Sequence, residues 1–166
     1  MDGLKIGDQT DMALPDAKVW DAERVIEWTA GRFGHGAALC TSFQADGMVI
    51  LDMATQLGFD LRVFTIDTGR LHPETYDLID LVRERYRIQI EVYSPDQDEL
   101  NKFTTAFGVN AFYNSVSSRI TCCDIRKVRP LNKVLSGLDA WITGVRKDQS
   151  QTRANIDKLE IDDAHG

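Results

Sequence analysis

Four short stretches of this 166-residue chain carry side chains able to do chemistry. The densest is Arg119-Ile120-Thr121-Cys122-Cys123-Asp124-Ile125-Arg126-Lys127-Val128-Arg129-Pro130. Adjacent cysteines rarely bond to each other, because the small ring strains the peptide. Positive charge favours thiolate, so a cysteine pair beside four cations suits a metal or a cluster. Iron–sulfur clusters take about four cysteine ligands. The chain has one other cysteine, Cys40, inside the apolar run Ala37-Ala38-Leu39-Cys40, where a free thiol reads as a small buried hydrophobe. The pair is therefore half a site, or on the blander reading two incidental helix cysteines.

The other three stretches could bind anions or sugars. Thr41-Ser42-Phe43-Gln44-Ala45-Asp46-Gly47 leads from a strand into a helix. Such a turn aims backbone N–H groups and a helix dipole at an anion, and Ser42 and Gln44 add donors. An ordinary turn capped by Asp46 explains it equally well. In Asp67-Thr68-Gly69-Arg70-Leu71, Asp67 can accept from a ribose hydroxyl or an amine, Gly69 permits a tight turn, and Arg70 could face a phosphate. A solvated loop with a capping Asp is the alternative. His72, a lone loop histidine before Pro73, stays outside the candidate site. Gly144-Val145-Arg146-Lys147-Asp148-Gln149-Ser150-Gln151-Thr152-Arg153 places three cations after a strand. Arginine offers a planar fork to sulfate or phosphate oxygens, although a solvated basic loop would look the same.

Apolar periodicity supplies the elements that must position these stretches. Residues 1–16 read as a flexible arm and 17–166 as one domain. Helices are expected over 17–31, 46–57 (with Gly58 as its cap), from Pro73 to about Tyr86, over 97–107 up to Gly108, and over 122–135, with Pro130 as a bend or restart. Strands are expected over 37–42, 61–66, 88–92 and 140–143. Apolar strands alternating with helices imply an open, mostly parallel α/β sheet with helices on both faces. Such sheets bind ligands beyond the carboxyl ends of their strands, where the three anion- or sugar-binding stretches fall.

Composition narrows the function. Lys plus Arg total 19 against 26 Asp plus Glu, for a net charge of −7, which excludes a general nucleic-acid binder. Three cysteines are too few for a secreted disulfide scaffold. No apolar run approaches the ~18 residues of a membrane helix. The N-terminus has neither a basic nor an apolar leader region, so a cytoplasmic protein is expected.

The stretches TSFQADGMVILDM (41–53), FTIDTGRLHPETYDL (64–78), CCDIRKVRPLNKVL (122–135) and AWITGVRKDQSQTRA (140–154) together resemble the adenylyl-sulfate / phosphoadenylyl-sulfate reductase family of sulfate assimilation. The resemblance implies an adenine-nucleotide α-hydrolase-like fold with a modified pyrophosphate loop. It implies reduction of an activated sulfate to sulfite and an adenosine nucleotide, with thioredoxin or glutaredoxin as donor. In that family the Cys-Cys pair goes with a [4Fe–4S] cluster and with adenylyl sulfate as substrate, so Cys122 and Cys123 would be two of four cluster ligands. Ser42, Phe43 and Gln44 would line the phosphosulfate loop, and Asp67, Thr68, Gly69 and Arg70 would lie near the adenosine. Lys127 would reach both cluster and sulfate. Gly144, Arg146 and Arg153 would form an arginine loop, with Lys127 and Arg146 acting in catalysis. A homo-oligomer is compatible with the resemblance. Family members continue past the position of Gly166 with a Cys-x-x-Cys and a nucleophilic terminal Cys. The chain is therefore expected to match their N-terminal two-thirds, without the nucleophile. The runner-up readings are a nucleotide-binding remnant without redox activity and a reductase of the 3′-phosphorylated substrate. A pyrophosphate-loop ligase, with its Ser-Gly-Gly-x-Asp-Ser loop, fits the 42–47 turn poorly.

Overall fold

In a computed structural model, residues 13–162 are described. Most of the expected arm, residues 1–12, lies outside the described residues, and 13–16 form no regular element. The elements are α1 (Ala22–Phe33), β1 (Ala37–Cys40), α2 (Ala45–Gln56), β2 (Arg62–Ile66), α3 (Pro73–Tyr86), β3 (Ile90–Tyr93), α4 (Gln97–Phe107), α5 (Val116–Cys123), α6 (Arg129–Leu135) and β4 (Ala140–Thr143). All strand pairings are parallel, in the order β3-β2-β1-β4.

Strand alternation sends side chains to two packed faces. Leu39, Val63 and Ile142 meet Ile26 of α1, Leu51 and Ala54 of α2, and Ile79 and Val82 of α3. On the other face Ala38 and Phe64 meet Val134 and Leu135 of α6. A third cluster joins Phe103 of α4 to Cys122 and Ile125. It seats the cysteine-bearing segment on the rest of the fold.

Several boundaries depart from expectation. Helix α1 starts at Ala22, where Asp21 accepts from Arg24 N at 2.8 Å and Val19 stands in solvent. Asp46 does not cap α2. The cap position belongs to Gln44, and the Thr41 hydroxyl accepts from Phe43 N at 3.0 Å. The segment expected over 122–135 starts earlier, at Val116, where Ser115 accepts from Ser118 N. It then widens into a π turn, Asp124–Val128, before α6. Pro130 has no N–H to donate to the Arg126 carbonyl, so the turn before it loosens to i→i+5 bonding and the helix restarts.

Candidate functional site

β1 is followed in the sheet by β2 and β3 on one side and by β4 on the other. Chain direction across the sheet thus reverses between β1 and β4. The crevice at such a reversal lies between the loops leaving those strands, residues 41–44 and 144–153. The two loops touch. A Cβ on Gly144 would stand 2.9 Å from Gly47 N and 3.0 Å from the Asp46 carbonyl carbon, so only glycine lets the loop lie on the first turn of α2. Asp46 ties them further. Its Oδ1 pairs with Arg146 Nε at 3.3 Å and its Oδ2 accepts from Gln149 Nε2 at 2.8 Å. Arg153 donates to Gln149 Oε1. Ser42 and Gln44 are exposed at the turn, whereas the Phe43 side chain is buried in the core. Phe43 adopts φ of 59°, a conformation side chains seldom take, and its placement in a strand–helix turn marks that turn as built for its shape.

A second feature lies beside it. A cavity of about 200 Å³ is lined by Thr68, Arg70, Phe112, Arg119, Cys122, Cys123, Arg126 and Lys127. Four cations thus surround two thiols, Cys122 buried and Cys123 exposed. Arg119, Cys122, Cys123, Arg126 and Lys127 follow i, i+3, i+4, i+7, i+8 spacing, the stripe of one helix face. That spacing could have picked out Arg119 and Arg126 as site residues from the sequence. Arg126 is 8% exposed; its guanidinium donates to the Thr68 carbonyl at 2.7 Å, while its buried Nε has no partner. A buried cation so under-used favours an anionic occupant of the cavity. Arg70 is exposed and engaged through one guanidinium nitrogen. It donates to the Val109 carbonyl and stacks over Phe112, 4.5 Å from the ring centre, bracing the turn that leads to α5.

Cys40 ends β1 and shares a sheet face with Ala38. Burial pushes its thiol up to about 11, against the pull of nearby Lys127. It is thus a poor thiolate source. Asp67 is held in a turn by Gly69 N and the Tyr76 hydroxyl. Among the described residues no group of three or more His, Cys, Asp or Glu gathers as a metal site, so Cys122 and Cys123 stand as two thiols of a larger ligand set at most.

Fold and site together define a doubly wound α/β protein with a crevice at the carboxyl edge of its sheet and a cation-lined cysteine cavity. The phosphoadenosine phosphosulfate reductase domain matches residues 36–166, and the chain belongs to that family. It is 44% identical over 126 residues to adenosine 5′-phosphosulfate reductase of Burkholderia cepacia, covering 76% of this chain and 50% of that protein. It is 47% identical over 135 residues to the enzyme of the same name from Pseudomonas aeruginosa (strain LESB58), covering 80% and 50%. The crystal structure of phosphoadenylyl-sulfate (PAPS) reductase from Candida auris, phosphate complex, superposes with a TM-score of 0.65 at 27% identity, over 79% of this chain and 64% of that one. The sheet is therefore the pyrophosphate-loop-like α/β fold. The chain spans about half the length of the curated relatives it matches. No helix among the described residues is long and apolar enough to cross a membrane.

Proposed function

We propose that this chain forms the nucleotide-binding part of an adenylyl-sulfate reductase. The observation that carries the reading is the cavity in which Arg70, Arg119, Arg126 and Lys127 surround Cys122 and Cys123 beside the Asp67–Arg70 loop. The adenosine phosphate is held at the carboxyl edge, between the 41–44 turn and the 144–153 loop, and the sulfate end faces Lys127. Arg146 leaves Asp46 to share an anionic oxygen, since its pair with Asp46 is solvent-exposed and weak.

In the reaction a cysteine thiolate attacks the sulfate sulfur, the S–O bond to phosphate breaks, and AMP leaves. Lys127 and Arg146 stabilise the charge that develops on the departing phosphate. A second thiol, from a thioredoxin-type donor, attacks the S-sulfocysteine. Sulfite leaves with the bonding electron pair and a disulfide forms. The attacking thiolate is none of the three cysteines here. Cys40 is half-buried with a raised pKa, and the other two point to a different use. The cavity suits a [4Fe–4S] cluster through its donor set: two thiols on one helix face, ringed by cations, with an unpartnered buried Arg126 Nε. Cys122 and Cys123 would supply two of its ligands. When bound, such a cluster supplies a fixed negative charge that holds these cations in place.

Intact mass after exposure to excess adenylyl sulfate tests the division of labour. The expected outcome is binding without an S-sulfo adduct on Cys40, Cys122 or Cys123. An adduct on any of them would place the nucleophile within this chain.

A further inference from the structure

Asp67 follows β2 directly, and the two oxygens of its carboxylate are used unequally. Oδ1 accepts from Gly69 N at 2.7 Å and from the Tyr76 hydroxyl of α3 at 2.8 Å. Two donors on one oxygen fill both its lone pairs and fix both side-chain torsions. Among the described residues no donor reaches Oδ2. Gly69, at φ of 67°, makes the turn that returns its N–H to Asp67, and the next residues belong to the cavity wall: Thr68 and Arg70 line it, and Arg126 holds the Thr68 carbonyl. Oδ2 is thus an unused acceptor, held rigidly at the ligand edge. Core packing does not account for the Tyr76 hydroxyl, because the residue is 40% exposed. The hydrogen bond to Asp67 holds the phenol pKa above its ordinary value, so Tyr76 remains a donor.

We propose that Tyr76 is a positioning residue for the nucleotide, holding Asp67 so that Oδ2 accepts from a ribose hydroxyl. The inference rests on the nucleotide reading above and adds to it a residue one turn into α3. An acceptor-only carboxylate repels phosphate oxygens and welcomes a neutral hydroxyl, and a carboxylate free to rotate would offer that hydroxyl a poorer partner.

The test titrates AMP and its 2′-deoxy and 3′-deoxy analogues into the wild-type chain, Tyr76→Phe, Asp67→Ala and the double variant. Phenylalanine keeps the ring and removes only the donor. Tyr76→Phe is expected to weaken AMP about three- to tenfold, the size of one hydrogen bond to a charged group, with an unchanged melting temperature. It should also reduce the preference for AMP over the deoxy analogue that the wild type discriminates against. In the Asp67→Ala background the Tyr76→Phe penalty should vanish, because there is no carboxylate to orient. Full AMP affinity in Tyr76→Phe, an equal penalty in the Asp67→Ala background, or a wild type indifferent to both deoxy analogues would overturn the inference while leaving nucleotide binding intact. A wild type that binds no AMP would retract the nucleotide reading itself, and this inference with it.

Discussion

Gly144→Ala probes the contact that closes the crevice. The added methyl would lie 2.9 Å from Gly47 N, 3.0 Å from the Asp46 carbonyl carbon and 3.1 Å from Asp46 Cβ. Two of these are backbone atoms in the first turn of α2, and that turn is anchored by buried Gly47 against Thr41. No flexible side chain can swing away, so the loop must lift by a few tenths of an ångström. Overpacking of this kind costs about 1–3 kcal/mol. For a chain of this size each kcal/mol moves the melting temperature by about 2–4 °C, so a fall of roughly 2–12 °C is expected. The lift also moves the 144–153 loop away from the 41–44 turn that shares the proposed phosphate site, so AMP affinity should fall along with stability. Gly31→Ala is the control. It lies inside α1 with nothing within 4 Å of the new methyl, and should stabilise by about 0.5–1 kcal/mol through helix propensity. Thermal melts and AMP titrations of both variants read the outcome. A Gly144→Ala protein that melts and binds like the wild type would show that the two loops do not touch as described.

Arg146→Ala should weaken adenylyl-sulfate binding by at least about 1.5 kcal/mol if the guanidinium meets an anionic oxygen, with little change in melting temperature; unchanged affinity in the titration would remove Arg146 from the site. Iodoacetamide at mildly alkaline pH should alkylate exposed Cys123 first and Cys40 last, because burial lifts the Cys40 pKa to about 11, and peptide mapping over time reads the order. The same group sets an alkaline limb: with the folded pKa raised above the ordinary 9.0, its contribution is level below 9.0 and falls as pH climbs toward 11. Glu91 works in the opposite sense. Hydrogen bonds from Arg62 hold its pKa below the ordinary 4.5, so its stabilisation is present above that value and is lost as pH falls through the lowered one. Glu91→Gln should flatten this acid limb in denaturant melts and cost about 0.5–1 kcal/mol at neutral pH, since the pair is about a third exposed.

The parallel sheet was legible because buried parallel strands read as short apolar runs, and because Pro73 and Gly108 punctuate α3 and α4 at the places expected. Local pattern failed where a tertiary contact decides. Arg70 donates to the Val109 carbonyl 39 residues away and stacks on Phe112, and no local signal marks either contact. Val19 and Trp20 extended the apolar spacing of α1 upstream, but the Asp21 cap set its start. Ile88 packs on the core yet lies outside β3, because Arg87 closes α3 in a left-handed conformation and the chain needs two further residues to turn. Asp46 carries a capping side chain but is drawn to Arg146 and Gln149, about 100 residues on, which only the position of β4 beside β1 brings near.

Calorimetric titration of adenylyl sulfate into the wild-type chain and into Lys127→Ala asks whether this cation-lined crevice holds the activated sulfate. One saturable site is expected in the wild type, displaced by AMP and weakened at least about tenfold by the substitution, as loss of a charge-assisted contact requires. Absence of saturable binding, or equal affinity in Lys127→Ala, would contradict it.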